Sequence, residues 1–382
     1  MTRELRGLTW DHPRGYAPLD VLARLDDAGP HRYGRVRAPL RWDRQPLEGF
    51  ESRPLVTLTG DYDILVVDHP GLGTAVADGC LLPMDDLFDA AELAAWREEA
   101  VGPSFDSYVL DGRPWALPVD AAGQVSAFRR GLTGTPPTTW DEVRELARSA
   151  PVTLCLGGPH AFLTFCALCV AYGADPCRSG DVLVPRDAGE AALDVMAGLL
   201  AQSVEEVWRL NPIGVLEAIA ADDGPAYCPL VYGYVTYAGA RGVRFADAPA
   251  WAPGGRPGSV LGGTGLAVSR SRAEDPEVRG AIRDHVRRLL SPAVQRNLCP
   301  AAGGQPAARS AWTDPEVAAL SGGFYRATRA TLEAAWVRPR SAGYLTFQDT
   351  ASRLIRDGLA GRAPHGELLR DLDKHYDAWM CA

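Results

Sequence analysis

The run Ile64-Leu65-Val66-Val67 lies between turn formers, Asp61-Tyr62-Asp63 before it and Asp68-His69-Pro70-Gly71 after it. Four consecutive apolar residues of this kind read as a strand buried on both faces, the signature of a parallel sheet covered by helices. Arg6–Trp10 reads as a second short strand and ends the same way, in Asp11-His12-Pro13-Arg14-Gly15. Helices are expected from Pro18 to Leu25 and in the stretch opening at Asp85-Asp86-Leu87-Phe88. Strand–loop–helix alternation predicts an α/β chain whose sheet is flanked by helices.

The same logic continues along the chain. Thr139 followed by Glu142 forms a capping box at a helix start. Pro151–Leu156 reads as a strand, Ala161–Ala171 as a buried helix and Ala188–Ala201 as an amphipathic one. Ala226–Tyr237 reads as an aromatic-rich strand leading into a loop, and Asp275–Leu290 as a helix with Pro276 in its first turn. At roughly 150 residues per domain, 382 residues imply about two compact units.

Charge and composition exclude several classes. A net charge of −9 argues against nucleic acid, which wants a basic surface. Lys374 is the single lysine, so Schiff-base chemistry is not expected. The eight cysteines lack the spacing of a disulfide framework, and Cys166 and Cys169, inside an apolar helix, read as core. Gly262-Gly263-Thr264-Gly265 precedes a strand rather than a helix, the wrong context for a nucleotide loop. No run suits a membrane span. Met1–Arg6 leads straight into Gly7–Trp10, so no targeting segment is expected. The location expected as the sequence stands is therefore cytoplasmic, or extracytoplasmic if a signal has been trimmed.

Several short motifs occur in a telling order. They are Tyr62-Asp63-Ile64 with Gly79–Met84, Gly112–Pro118, Thr139–Val143, Gly224–Tyr227, Leu261–Val268, Leu289–Gln295 and Gly304–Ala307. Together they resemble the extracellular solute-binding proteins of ABC transporters, the sugar-binding group that includes maltose-binding proteins. The resemblance implies a two-lobed periplasmic-binding-protein-like fold, each lobe a parallel-type sheet flanked by helices, with a hinge between. Lobe one would hold 1–117 and 256–308, and lobe two 118–255 and 309–382. It further implies a monomer that binds a small polar molecule, sugar-like or anionic, and passes it to a transporter permease, without metal or cofactor.

Candidate site residues follow from both lines of reading. If the first two strands are neighbours, Asp11-His12 and Asp68-His69 face one place at the carboxyl ends of the sheet. There His12 and His69 could exchange protons with Asp11 and Asp68 as orienters, beside Arg14 as an anion clamp. The alternative is that these residues only form turns and caps. Trp10 is a further aromatic candidate. The resemblance adds Asp120 and Gln124, after the crossing segment, as groups for ligand hydroxyls. Gly157-Gly158-Pro159-His160 opens a helix, so His160 could reach a ligand or cap its own helix. Tyr232 and Tyr234 could stack on a sugar ring or belong to the core. Gly263 and Thr264 offer close backbone approach.

Two functions remain open on this reading. One is a solute receptor. The other is an intracellular enzyme on the same fold, using His and Asp for dehydration, isomerisation or cyclisation.

Overall fold

The computed structural model describes residues 3–29, 32–129, 131, 134–178, 180, 182–239 and 242–381. Its strands are β1 (Leu5–Trp10), β2 (Leu40–Gln45), β3 (Ile64–Val67), β4 (Leu81–Leu82), β5 (Ala116–Arg129), β6 (Tyr227–Tyr232), β7 (Val243–Ala246) and β8 (Leu261–Ser269). The chain forms two compact units, residues 1–121, 262–321 and 340–342, and residues 122–261, 322–339 and 343–382. It leaves the first unit after 321, not 308, and returns briefly at 340–342.

In the first unit β1 pairs in parallel with β2 on one side and β3 on the other. Every residue of β3 is buried, as its apolar run requires. β8 runs antiparallel to β3 and to β4. The sheet is therefore mixed rather than parallel-type throughout. A helical crossover makes neighbours parallel, but β8 arrives after the long 122–261 excursion and carries no such constraint. Gly265 in β8 has to be glycine, because a Cβ there would sit 2.7 Å from the ring of Tyr108.

Helix α1 (Pro13–Ala28) starts five residues before the expected Pro18, with Pro13 in its first turn. Its first turn carries a buried ion pair. Arg14 Nε donates to Asp120 Oδ2 at 2.8 Å and Nη2 donates to the other carboxylate oxygen. The two side chains are only 4% and 8% exposed.

In the second unit β5 pairs antiparallel with both β6 and β7. The expected strand Pro151–Leu156 makes a single parallel bridge, Val152 to Tyr227. The parallel-type expectation thus fails here too, and this unit is held mainly by helices. Four of them, α2 (His160–Tyr172), α3 (Arg186–Leu200), α4 (Tyr344–Ala360) and α5 (His365–Met380), supply most of its core. α2 is buried on all sides from His160 to Ala171, including Cys166 and Cys169. Burial pushes both thiols up, which suits core packing and not reactivity. Thr139 and Glu142 form the expected capping box.

The helix Pro276–Leu289 holds a buried histidine whose tautomer is fixed. His285 Nε2–H donates to the Ala38 carbonyl at 2.8 Å, while Nδ1 accepts from Arg288 at 3.2 Å. Burial, aided by Arg288, lowers its pKa to about 4.

Two expectations follow. Breaking the buried pair by Arg14→Met strands a carboxylate and should cost about 3–5 kcal/mol in urea unfolding. A loss under about 1 kcal/mol would show that the pair is solvated. For His285, the unfolded chain takes up its proton near pH 6.5 and the folded protein only near 4, so this contribution is present above 6.5 and lost as pH falls. The stability gap between wild type and His285→Gln should narrow by about 1.4 kcal/mol per pH unit between those values. A gap independent of pH contradicts the neutral assignment.

Candidate ligand-recognition residues

Because β1 and β3 are parallel neighbours, Asp11-His12 and Asp68-His69 leave the sheet at the same end. Gly263 and Thr264 enter at that end too, since β8 runs the other way from β3. The first unit does bring these residues together. Their side chains, however, are largely committed to structure.

His12 is the N-cap of α1, and its Nδ1 accepts from the Arg14 N–H at 3.1 Å. Burial, aided by Arg14, lowers its pKa to about 4, so it is neutral with its proton on Nε2. Asp11 does not orient it by a salt-bridge geometry; that carboxylate is exposed and lies 3.6 Å from Arg44. Asp68 accepts from the His69 backbone N–H at 2.9 Å as a cap, with His69 Nδ1 at 3.2 Å. His69 is fully buried, its ring meeting the edge of Tyr108. Turn and cap formation, the alternative reading, describes both tripeptides.

Arg14 and Trp10 need correction as ligand contacts. The Arg14 guanidinium is engaged bidentately by Asp120, so it is no anion clamp. Asp120 is likewise buried and engaged, and burial raises its pKa despite Arg14. Trp10 is 2% exposed and stacks with the rings of His12 and Phe50. Gly15 permits this, because a Cβ there would lie 2.1 Å from the indole nitrogen. Thr264 is buried, and Gly263 adopts φ +103°.

In the second unit a different kind of cluster surrounds Tyr232. Gln124 is its partner across the β5–β6 ladder. The His160 ring meets that of Tyr232 edge-on, with centroids 5.7 Å apart. His160 is the first residue of α2 and its side chain does not cap the helix. It is 4% exposed, and Nδ1 has no hydrogen-bond partner among the described residues. Burial, with a smaller effect from Arg338, lowers its pKa to about 3. Gln124 is 1% exposed and its Oε1 also lacks a partner among the described residues. Tyr234 lies beyond the strand, which ends at Tyr232, and is buried.

The cluster includes residues that sequence reasoning missed. The Tyr344 hydroxyl, buried within electrostatic range of Tyr232 and Arg338, has no hydrogen-bond partner among the described residues. Ser259 Oγ also lacks a partner among the described residues, but it lies 3.0 Å from where a Cβ on Gly123 would be, on the face of β5 opposite to Gln124 and Tyr232, and so is not part of this cluster. Arg338 is buried and donates to Gln348 at 3.4 Å. The available signals were Gly343 before an amphipathic helix and an arginine beside Pro339.

Among the described residues no group of His, Cys, Asp and Glu is arranged to hold a metal, and no helix is long and apolar enough to cross a membrane.

No family model and no curated sequence matches the chain. Solved structures do. Maltose-bound MalE3 of T. maritima superimposes with a TM-score of 0.78 at 19% identity, covering 98% of both chains. A ribitol complex of an ABC-transporter solute-binding protein from Agrobacterium radiobacter K84 gives 0.79 at 20%, covering 98% of both. UgpB from Mycobacterium tuberculosis with glycerophosphocholine gives 0.76 at 15%, covering 100% of this chain and 99% of that one. End to end, the chain has the α/β fold of ABC-transporter solute-binding proteins.

Proposed function

We propose that this protein is a solute receptor of the ABC-transporter type, of the kind that closes on its ligand, and that it takes an uncharged, hydroxyl-rich molecule such as a sugar or polyol. The observation that carries this reading is a set of buried atoms near Tyr232 that have no partner among the described residues: His160 Nδ1, Gln124 Oε1 and Tyr344 OH. Each such atom costs about 1–3 kcal/mol if it stays unpaired, and native proteins rarely keep several together. A polyol offers hydroxyls that both donate and accept, and the half-buried Tyr232 ring can cover a sugar's C–H face. His160 stays neutral, so no carboxylate or phosphate partner is required by it. The fold likeness to proteins solved with maltose and ribitol supports the same class. A transporter permease would be the macromolecular partner. No observation favours the enzymatic alternative, since His12 already serves as a cap.

The test is calorimetry with maltose, ribitol, mannitol, tagatose and glycerophosphocholine. At least one neutral polyol should bind and be recovered unchanged, with His160→Ala and Gln124→Ala each weakening it about tenfold, equivalent to about 1.4 kcal/mol. Binding of the phosphodiester alone, or affinity untouched by both substitutions, would overturn the proposal.

A further inference from the structure

Two glutamines in motifs that the ligand cluster does not use converge on the strand carrying Asp120. Gln295 is 2% exposed and its amide makes four hydrogen bonds. Its Nε2 donates to the carbonyls of Val119 at 3.2 Å and Leu289 at 3.0 Å, and its Oε1 accepts from the N–H groups of Ala307 at 2.9 Å and Ala308 at 3.2 Å. Gln305 is fully buried. Its Nε2 donates to the Ala121 carbonyl, and its own carbonyl accepts from the Ala121 N–H, both at 3.1 Å. Trp312 Nε1 donates to the Pro306 carbonyl at 2.7 Å, which steadies the segment from behind. Residues 119, 120 and 121 are thus held in turn by Gln295, Arg14 and Gln305, and Ala121 is where the first unit's share of β5 ends.

We infer that Gln295 is a positioning residue: by holding Val119 and the 307–308 backbone that follows Gln305, it keeps the last first-unit residues of β5 in place, so that Asp120 stays aligned with Arg14 and the crossing strand leaves the first unit from a fixed point. A glutamine suits this role because its side chain alone combines two donors with an acceptor at that reach. The role rests on the proposed receptor only for its use, not for its existence.

Residue-level hydrogen exchange on the full chain without ligand tests it. In Gln295→Met, exchange at 119–121 and at 307–308 should rise at least tenfold, while α2 and β6 stay as in wild type. Gln295→Glu keeps the acceptor oxygens, so 307–308 should stay protected while 119–121 still loosens. That split separates positioning from general destabilisation. Unchanged exchange at 119–121 in both folded variants, or a rise spread evenly through the second unit, overturns the inference. If Gln295→Met leaves the chain unfolded, Gln295→Glu alone decides by the same split. Failure of every sugar to bind would leave this result standing, so the two ideas fall separately.

Discussion

A guanidinium and a carboxylate, both more than nine-tenths buried, tie the first turn of α1 to the strand by which the chain leaves the first unit. Arg14 can reach Asp120 only if α1 begins directly after β1, which Asp11-His12-Pro13 ensures. His12 supplies the missing acceptor at that helix start, and Trp10 packs over Gly15 beside it. Cap, stack and ion pair form one assembly. It explains why so many residue types associated with chemistry occur together without being free to perform it.

The contrast with the second unit is physical. In the first unit, His12, Arg14 and Asp68 at the sheet end meet protein partners, although Thr9 Oγ1 and Gln45 Oε1 meet none among the described residues. Around Tyr232, buried polar atoms of several residues meet none among the described residues. Burial without a partner is costly, and the proposed ligand would supply the missing partners. Function is therefore read more securely from unsatisfied groups than from a suggestive tripeptide.

Much of the fold was legible in local signals. The apolar run at 64–67, the Thr139–Glu142 box and the Asp275-Pro276 helix start all form as their residues dictate. The order of short motifs carried the fold resemblance. What escaped was non-local. β2 (Leu40–Gln45) was invisible because its charged residues at the sheet edge mimic a loop. The direction of β8 depends on its route through the other unit, which no periodicity records. At the site, Gln124, His160 and Tyr232 could be named from sequence, but their convergence with one another and with Tyr344 arises only on folding. Arg14 was misread because its partner lies 106 residues away.

The central claim is that His160 offers a buried, neutral nitrogen to a ligand hydroxyl. The most direct measurement is the 15N resonance of His160 Nδ1 during titration with the tightest polyol. The account predicts that this resonance moves on saturation, in step with calorimetry, while His285 does not. A ligand that saturates the protein and leaves the His160 resonance unmoved would contradict it.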